Sequence, residues 1–317
     1  MEGSPGKYFT TEVKSLYTGR NDSGVVLGEE EESVARSFSG EETPQFLRHL
    51  STFFWIYASQ ILVKGDAEVE AMYVNERLVV SANNTGTMKT LYDHMLKEQS
   101  VLDVFRSHQD IDDLRGMRTV NRFQNEVMSP DINSDPLAVL QELGSQEVSE
   151  AVILRTIRRK GKAGVVLVDE DCRGKLILVN GLNAHAEQKL LLMLLQSGLP
   201  LAEQVYIRGK KRPCFGCWLC LHFVRDVLDY SNIDFNDHPG LAWIGAINEL
   251  KTFIATIPKV DKQSKKKFVK WAKEMIDRYK EGEHITYTTH DMVTDSKRTD
   301  YDTESDDDVD AYEDMNL

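Results

Sequence analysis

Four cysteines, Cys172, Cys214, Cys217 and Cys220, are all that this chain of 317 residues contains. They are too few and too bunched to staple so long a chain. That excludes a disulfide framework and points to metal or redox chemistry in a reducing compartment. Long apolar runs are missing as well. The most apolar window, 46–63, carries Arg48, His49, Ser51, Thr52, Ser59 and Gln60, and it is too short and too polar for a bilayer span of about 20 apolar residues. It reads as a buried helix, and no membrane partner is expected. The N-terminal MEGSPGKYFTTEVKS lacks a charged region followed by an apolar stretch, so a secretory leader is not supported and an intracellular protein, cytoplasmic or nuclear, is expected. No internal repeat is found. Basic side chains are outnumbered, 38 Lys+Arg against 51 Asp+Glu, for a net charge of −13. As an average, that number argues against a nucleic-acid binder. The length allows one large domain or two ordinary ones, and 41% hydrophobic residues can fill a core.

Residues 1–40 hold Gly, Ser and the run Glu29 to Glu32 with few large apolar side chains, a composition expected to stay disordered. Residues 41–150 read as a mostly helical region of unknown role. Thr43 is a candidate cap, Pro44 a first helical residue, and Phe46, Leu47, Leu50, Phe53, Phe54 and Tyr57 follow at helical spacing. The segments 66–73, 86–99 and 102–128 look helical too, broken by Asn83-Asn84-Thr85-Gly86 and by Ser129-Pro130-Asp131.

After a basic amphipathic segment at 151–162 the pattern changes. The runs 165–168 and 176–179, joined by a turn-rich hexapeptide, give a hairpin signal. A helix follows at 186–197, a strand at 205–207, a helix at 214–228 and a strand at 233–235. The order β-β-α-β-α-β over about 100 residues predicts a three-layer α/β unit. The stretches 241–257 and 264–279 have helical periodicity, and an acidic tail at 283–317 is expected to be disordered.

Two short strings carry chemistry. His185-Ala186-Glu187 opens one helix directly after a strand, and Pro213-Cys214-Phe215-Gly216-Cys217 opens the next helix after the next strand. An imidazole and two thiolates suit tetrahedral zinc, and three protein ligands leave the fourth position for water, the catalytic arrangement. The two helix starts favour thiolate over thiol. Two consecutive strand-to-helix junctions on one sheet bring His185, Cys214 and Cys217 to one edge. Glu187 then lies close enough to move protons without occupying a coordination position. Cys220, one turn further along the helix, reads as a small buried residue rather than a fourth ligand. Cys172 reads as an ordinary intracellular thiol and His238-Pro239 as a turn. Trp218 and Phe215 fit either a base-stacking pocket or the core, and His222 a structural role.

The pair H-x-E and P-C-x-x-C is the signature of zinc nucleobase deaminases. On these residues 160–240 resembles the cytidine deaminase-like superfamily, and HAEQKLL followed by VYIRGKKRPCFGC is most similar to its bacterial toxin-type and fungal nucleobase deaminase branch. The resemblance implies a three-layer α/β/α cytidine deaminase-like core, placed at 151–260, and says nothing of residues 1–150; the N-terminal helical region, the C-terminal helices and the basic helix at 261–282 are read from composition and periodicity. It implies Zn2+ held by His185, Cys214 and Cys217, with Glu187 deprotonating a bound water. The hydroxide so formed attacks the amino-bearing ring carbon, and Glu187 passes protons to the ring nitrogen and to the departing ammonia. An asparagine before the histidine, Asn180 or Asn183, is implied to touch the substrate sugar.

Divided by segment, the charge changes meaning. Residues 1–150 carry −12 and 282–317 carry −10, whereas 151–231 and 251–281 each carry +6. Arg208, Lys210, Lys211 and Arg212 precede Cys214 and suit contact with a phosphate-bearing substrate, a nucleotide or a nucleic-acid strand. The sequence therefore predicts cytosine-to-uracil deamination in single- or double-stranded nucleic acid. Its rivals are a deaminase of free nucleosides or nucleotides, and a zinc-stabilised interaction module without turnover that binds a protein partner through 43–150.

Overall fold

The computed structural model of the chain describes residues 25–27, 42–62, 68–107, 123–124, 134–157, 174–197, 204–210, 212–236, 241–242, 253–254, 257, 261–281 and 285–287. In chain order these form β1 (Val25–Leu27), α1 (Glu42–Ile61), β2 (Val69–Val74), β3 (Arg77–Ala82), α2 (Thr87–Met95), α3 (Val101–Ser107), α4 (Asp135–Gly144) and α5 (Val148–Ala151). Then come β4 (Val152–Ile157), β5 (Leu176–Gly181), α6 (Ala186–Ser197), β6 (Val205–Gly209), α7 (Phe215–His222), which continues as a π-helical stretch (Phe223–Val227), and β7 (Ile233–Asp234). β8 (Leu241–Ala242), α8 (Lys262–Glu281) and β9 (Ile285–Tyr287) complete the described residues. The fold is mixed α/β, with a six-stranded mixed sheet and eight helices among the described residues.

The strand order is β4-β5-β3-β2-β6-β7. Only β2 runs against the others, pairing antiparallel with β3 and with β6, while β3–β5, β4–β5 and β6–β7 are parallel. Asn75 and Glu76, with φ of 46° and 55°, close the β2–β3 hairpin in the conformation of a two-residue type I′ turn. Two expectations change here. The segment 66–73 supplies a strand, not a helix: Glu70, Ala71 and Met72 favour helix locally, but all six residues of β2 are buried, so no period-two alternation marks it. The strand at 176–179 is present, but not as half of a hairpin with 165–168. Both of its edges are occupied, by β3 and β4, and 165–168 lies outside the described residues.

Each face of the sheet carries its own apolar cluster, because successive residues of a strand point to opposite sides. Ala71, Tyr73, Leu78, Val80, Leu176 and Leu178 pack with Phe46, Leu50, Phe53 and Phe54 of α1 and with Leu91 of α2. On α1 the predicted apolar positions are indeed buried, and Phe53 meets Phe105 and Phe123 at ring-centroid distances of 4.9 and 5.2 Å. On the other face Met72, Val79, Ile177, Val179, Val205 and Ile207 pack with Leu190 and Leu191 of α6, Trp218 and Leu219 of α7, and Phe268 of α8. The region 41–150 therefore holds five helices and also two central strands of the sheet that continues through β5 and β6.

Three smaller differences concern the ends. Leu241–Ala242, expected as helix, pairs as a strand with β1, while Phe253 and Ile254 are helical and buried. Within the stretches expected to be disordered, Val25–Leu27 and Ile285–Tyr287 pair with each other. The remainder of 1–40 and of 283–317 lies outside the described residues. No helix among the described residues is long and apolar enough to cross a membrane.

Candidate metal centre

Five of the six strands run the same way, so β3, β5 and β6 end at one edge of the sheet. The chain leaves β5 through Gly181, at φ +90°, and Leu182, at φ 53°. A side chain at 181 would place its Cβ 2.3 Å from the Ile157 carbonyl oxygen, so the position requires glycine on both counts. This reversal sets His185 at the start of α6. The loop after β3 holds it there. Asn83 Oδ1 accepts from the Ala186 amide at 2.8 Å, Thr85 Oγ1 donates to the Leu182 carbonyl at 3.3 Å, and the Thr85 carbonyl accepts from the Gly181 amide at 3.2 Å. The fully buried ammonium of Lys189 donates to the carbonyls of Ala82 and Asn83, at 2.5 and 2.9 Å.

β6 ends at Gly209, and Cys214 caps α7, its Sγ accepting from the Cys217 amide at 3.5 Å. His185 Nδ1 lies 3.3 Å from the sulfur of Cys214 and 3.3 Å from that of Cys217, and the three donor atoms lie within 4.8 Å of one another. Tetrahedral zinc, with bonds of about 2.0 Å to nitrogen and about 2.3 Å to sulfur, holds such atoms about 3.5 Å apart. The spacing fits a metal ion.

Comparison of the chain with protein-family models, with curated proteins and with solved structures yields no match. The site is therefore read from its own atoms.

Glu187 is 2% exposed, and its Oε2 is buried with no hydrogen-bond partner. Burial, and then the charge of Cys214, push its carboxyl up from the ordinary value of 4.5 to about 7. Hydrogen bonding from Cys217 holds Cys214 well below the usual thiol range, while burial pushes Cys217 well above it. The first thiol proton leaves readily and the second is retained, so the pair titrates as a unit until a cation displaces the last proton. Gln188, fully buried, donates from Nε2 to the Cys217 sulfur at 3.7 Å. Such donors orient a thiolate ligand and temper its charge.

The structure brings together His185, Cys214, Cys217 and Glu187. Asn183 is exposed in the turn before His185, whereas Asn180 Oδ1 accepts from the Lys89 amide of α2 at 3.3 Å, on the sheet face away from α6. The cations before Cys214 point inward. Arg208 is buried and paired with Asp234 at 3.0 Å, Lys210 is buried with its Nζ 4.3 Å from the ring centre of Trp55, and Arg212 is buried. Lys211, Cys172, His238 and Pro239 lie outside the described residues. Trp218 belongs to the core, stacked on Phe215 at 5.8 Å and 15° and 4.2 Å from the His222 ring. Cys220 is a fully buried core residue outside the metal-binding group, and His222 Nδ1 contacts Asp226 at 2.8 Å.

Sequence reasoning missed Asn83, Gln188, Lys189 and Glu70. The last is a buried carboxylate at the start of β2, against Gly209, where an added Cβ would fall 1.7 Å from Glu70 Oε1. Asn83 carried a signal, an Asn-Asn-Thr-Gly break, that was read only as punctuation.

Proposed function

We propose that the chain is a zinc-dependent hydrolytic nucleobase deaminase that converts cytosine to uracil in nucleic acid. One observation carries the reading: a buried carboxylate with an unpartnered oxygen, Glu187, stands beside a His/Cys/Cys trio spaced for a metal. A purely structural site has no use for that oxygen. Zinc, when bound, supplies a Lewis acid and lowers the pKa of water. The rest is work for the chain. His185, Cys214 and Cys217 would hold the ion, and three ligands leave a position open to reactants. Glu187 Oε2 accepts a proton from the attacking water and delivers it to the ring nitrogen of the base. It then takes the remaining proton of the added hydroxyl and passes it to the amine, so that the C–N bond breaks, ammonia leaves and the ring carbonyl forms. Burial favours the protonated carboxyl, which helps Glu187 hold a proton between the two transfers. Gln188 and the Cys217 amide orient the sulfurs.

The element order supports the same reading. β2, β3, α6, β6, α7 and β7 follow the β-β-α-β-α-β order that the deaminase resemblance implies, with 83–184 inserted between the second strand and the first helix. In that reading the three-layer α/β/α core begins at α1 rather than at 151. The test is purification of the full chain with metal analysis, followed by incubation with single- and double-stranded DNA, RNA and free cytidine. One zinc per chain and C-to-U conversion that disappears in Glu187→Ala are expected. Absence of stoichiometric zinc, or turnover unaffected by Glu187→Ala, would refute the proposal. Turnover of free cytidine with none on polymers would exclude the nucleic-acid version.

A further inference from the structure

Arg208, Lys210 and Arg212 are buried, and an exposed basic face stands elsewhere among the described residues. α8 carries eight Lys and Arg against three acidic residues. Asp261 starts it, its carboxylate accepting from the Ser264 amide at 2.8 Å. One face of the helix is already used. Phe268 and Ala272 are fully buried, Phe268 lies 4.2 Å from Phe223, and Trp271 stacks 6.5 Å from Trp218, the residue after Cys217. On the opposite face Lys266, Lys267 and Lys270 are exposed, with Glu274 3.8 Å from Lys270.

Three kinds of partner compete for a basic face. A lipid surface needs a free apolar face to insert, and on α8 Phe268, Trp271 and Ala272, among the described residues, pack into the core. A protein interface needs aromatic, Met or Arg anchors at its centre and is depleted in lysine, while the only exposed large hydrophobic side chain among the described residues is Leu96, on another helix. Phosphates need cations alone. We propose that the lysine face of α8 binds the phosphate backbone of a nucleic-acid strand, with Trp271 and Trp218 coupling that track to the helix that carries Cys217. The assignment of this strand as substrate rests on the deaminase reading; the binding surface does not.

The experiment measures binding of the full-length, zinc-loaded chain to a fluorescein-labelled single-stranded oligodeoxynucleotide over a range of KCl concentrations. The comparison is with the triple variant Lys266→Gln, Lys267→Gln, Lys270→Gln. Each phosphate contact on a single strand contributes about 0.7 to the slope of log K against log salt. The variant is therefore expected to lower that slope by about 2 and to weaken binding at least tenfold at low salt, with circular dichroism and zinc content unchanged. An unchanged slope and affinity overturn the proposal. So does equal competition by polyglutamate, or lysine-dependent binding to phosphatidylserine vesicles of the same strength. C-to-U conversion of the same oligonucleotide at saturating concentration, and of free cytidine, measured on both proteins, separates the two claims. Lysine-dependent binding without turnover supports the surface and removes the deaminase reading. Turnover with lysine-independent binding does the reverse.

Discussion

Replacing Glu187 by glutamine should stabilise the metal-free protein while abolishing the proposed deaminase activity, and the stabilisation should depend on pH. The carboxyl is 2% exposed, and burial raises its pKa from 4.5 to about 7. Below pH 4.5 it is protonated in the folded and unfolded chains alike and adds no pH dependence. Between 4.5 and 7 only the unfolded chain ionises, so stability falls as pH rises. Above 7 the folded chain carries the full penalty of a buried charge, about 3 kcal/mol at 1.36 kcal/mol per pH unit. Glutamine has the same shape and does not titrate. The stability difference between Glu187→Gln and the parent should therefore grow by roughly 2–3 kcal/mol from pH 5 to pH 8. Any constant cost of seating the amide cancels between the two pH values. Urea unfolding of chelator-treated protein at both pH values gives the number. If the proposed function holds, the same variant should bind zinc normally and lose about 10²- to 10⁴-fold in deamination rate. A difference that is flat with pH would refute the burial argument, and retained turnover would refute the proton-transfer role.

Three further outcomes are expected. Gln188→Leu should weaken zinc affinity about 10- to 100-fold, read by competition with a chromogenic chelator, since it removes the donor to the Cys217 sulfur; unchanged affinity would make that contact incidental. Asn83→Ala should cost about 1 kcal/mol in equilibrium unfolding, because the amide at the start of α6 loses its side-chain acceptor, and a neutral result would show that water replaces it. Trp218→Ala should cost about 3–5 kcal/mol as a core truncation. A raised KM at unchanged stability would instead assign the ring to base stacking.

The metal trio was legible in the sequence because its three residues sit in two short strings, each at a strand-to-helix junction, and α6 spans the predicted 186–197. Burial on both faces hid the sheet. β2 and β3 have no polar alternation to mark them, and the Asn75–Glu76 turn lacks the glycine that advertises most two-residue hairpins. The burial of Arg208, Lys210 and Arg212 was hidden for a different reason. Linear charge density cannot distinguish a cation facing solvent from one facing Asp234 or the ring of Trp55, as Arg208 and Lys210 do. Asn180 was offered for being near the histidine in sequence, yet its place on β5 turns it toward α2.

The position of β5 ties the inserted segment to the chemistry. His185 hangs from β5, through the left-handed pair Gly181–Leu182, and β5 itself lies between β3 and β4. Nothing in that connection alone would align α6 with the loop after β3. The alignment comes from contacts between residues 103 to 107 positions apart: Asn83 on the Ala186 amide, and Lys189 on the carbonyls of Ala82 and Asn83. Loss of these carbonyls would take two acceptors from a fully buried ammonium, a strongly unfavourable change. Helix α6 is therefore registered against β3 by contacts that bridge the intervening hundred or so residues, and removing them should loosen the approach of His185 to Cys214 and Cys217.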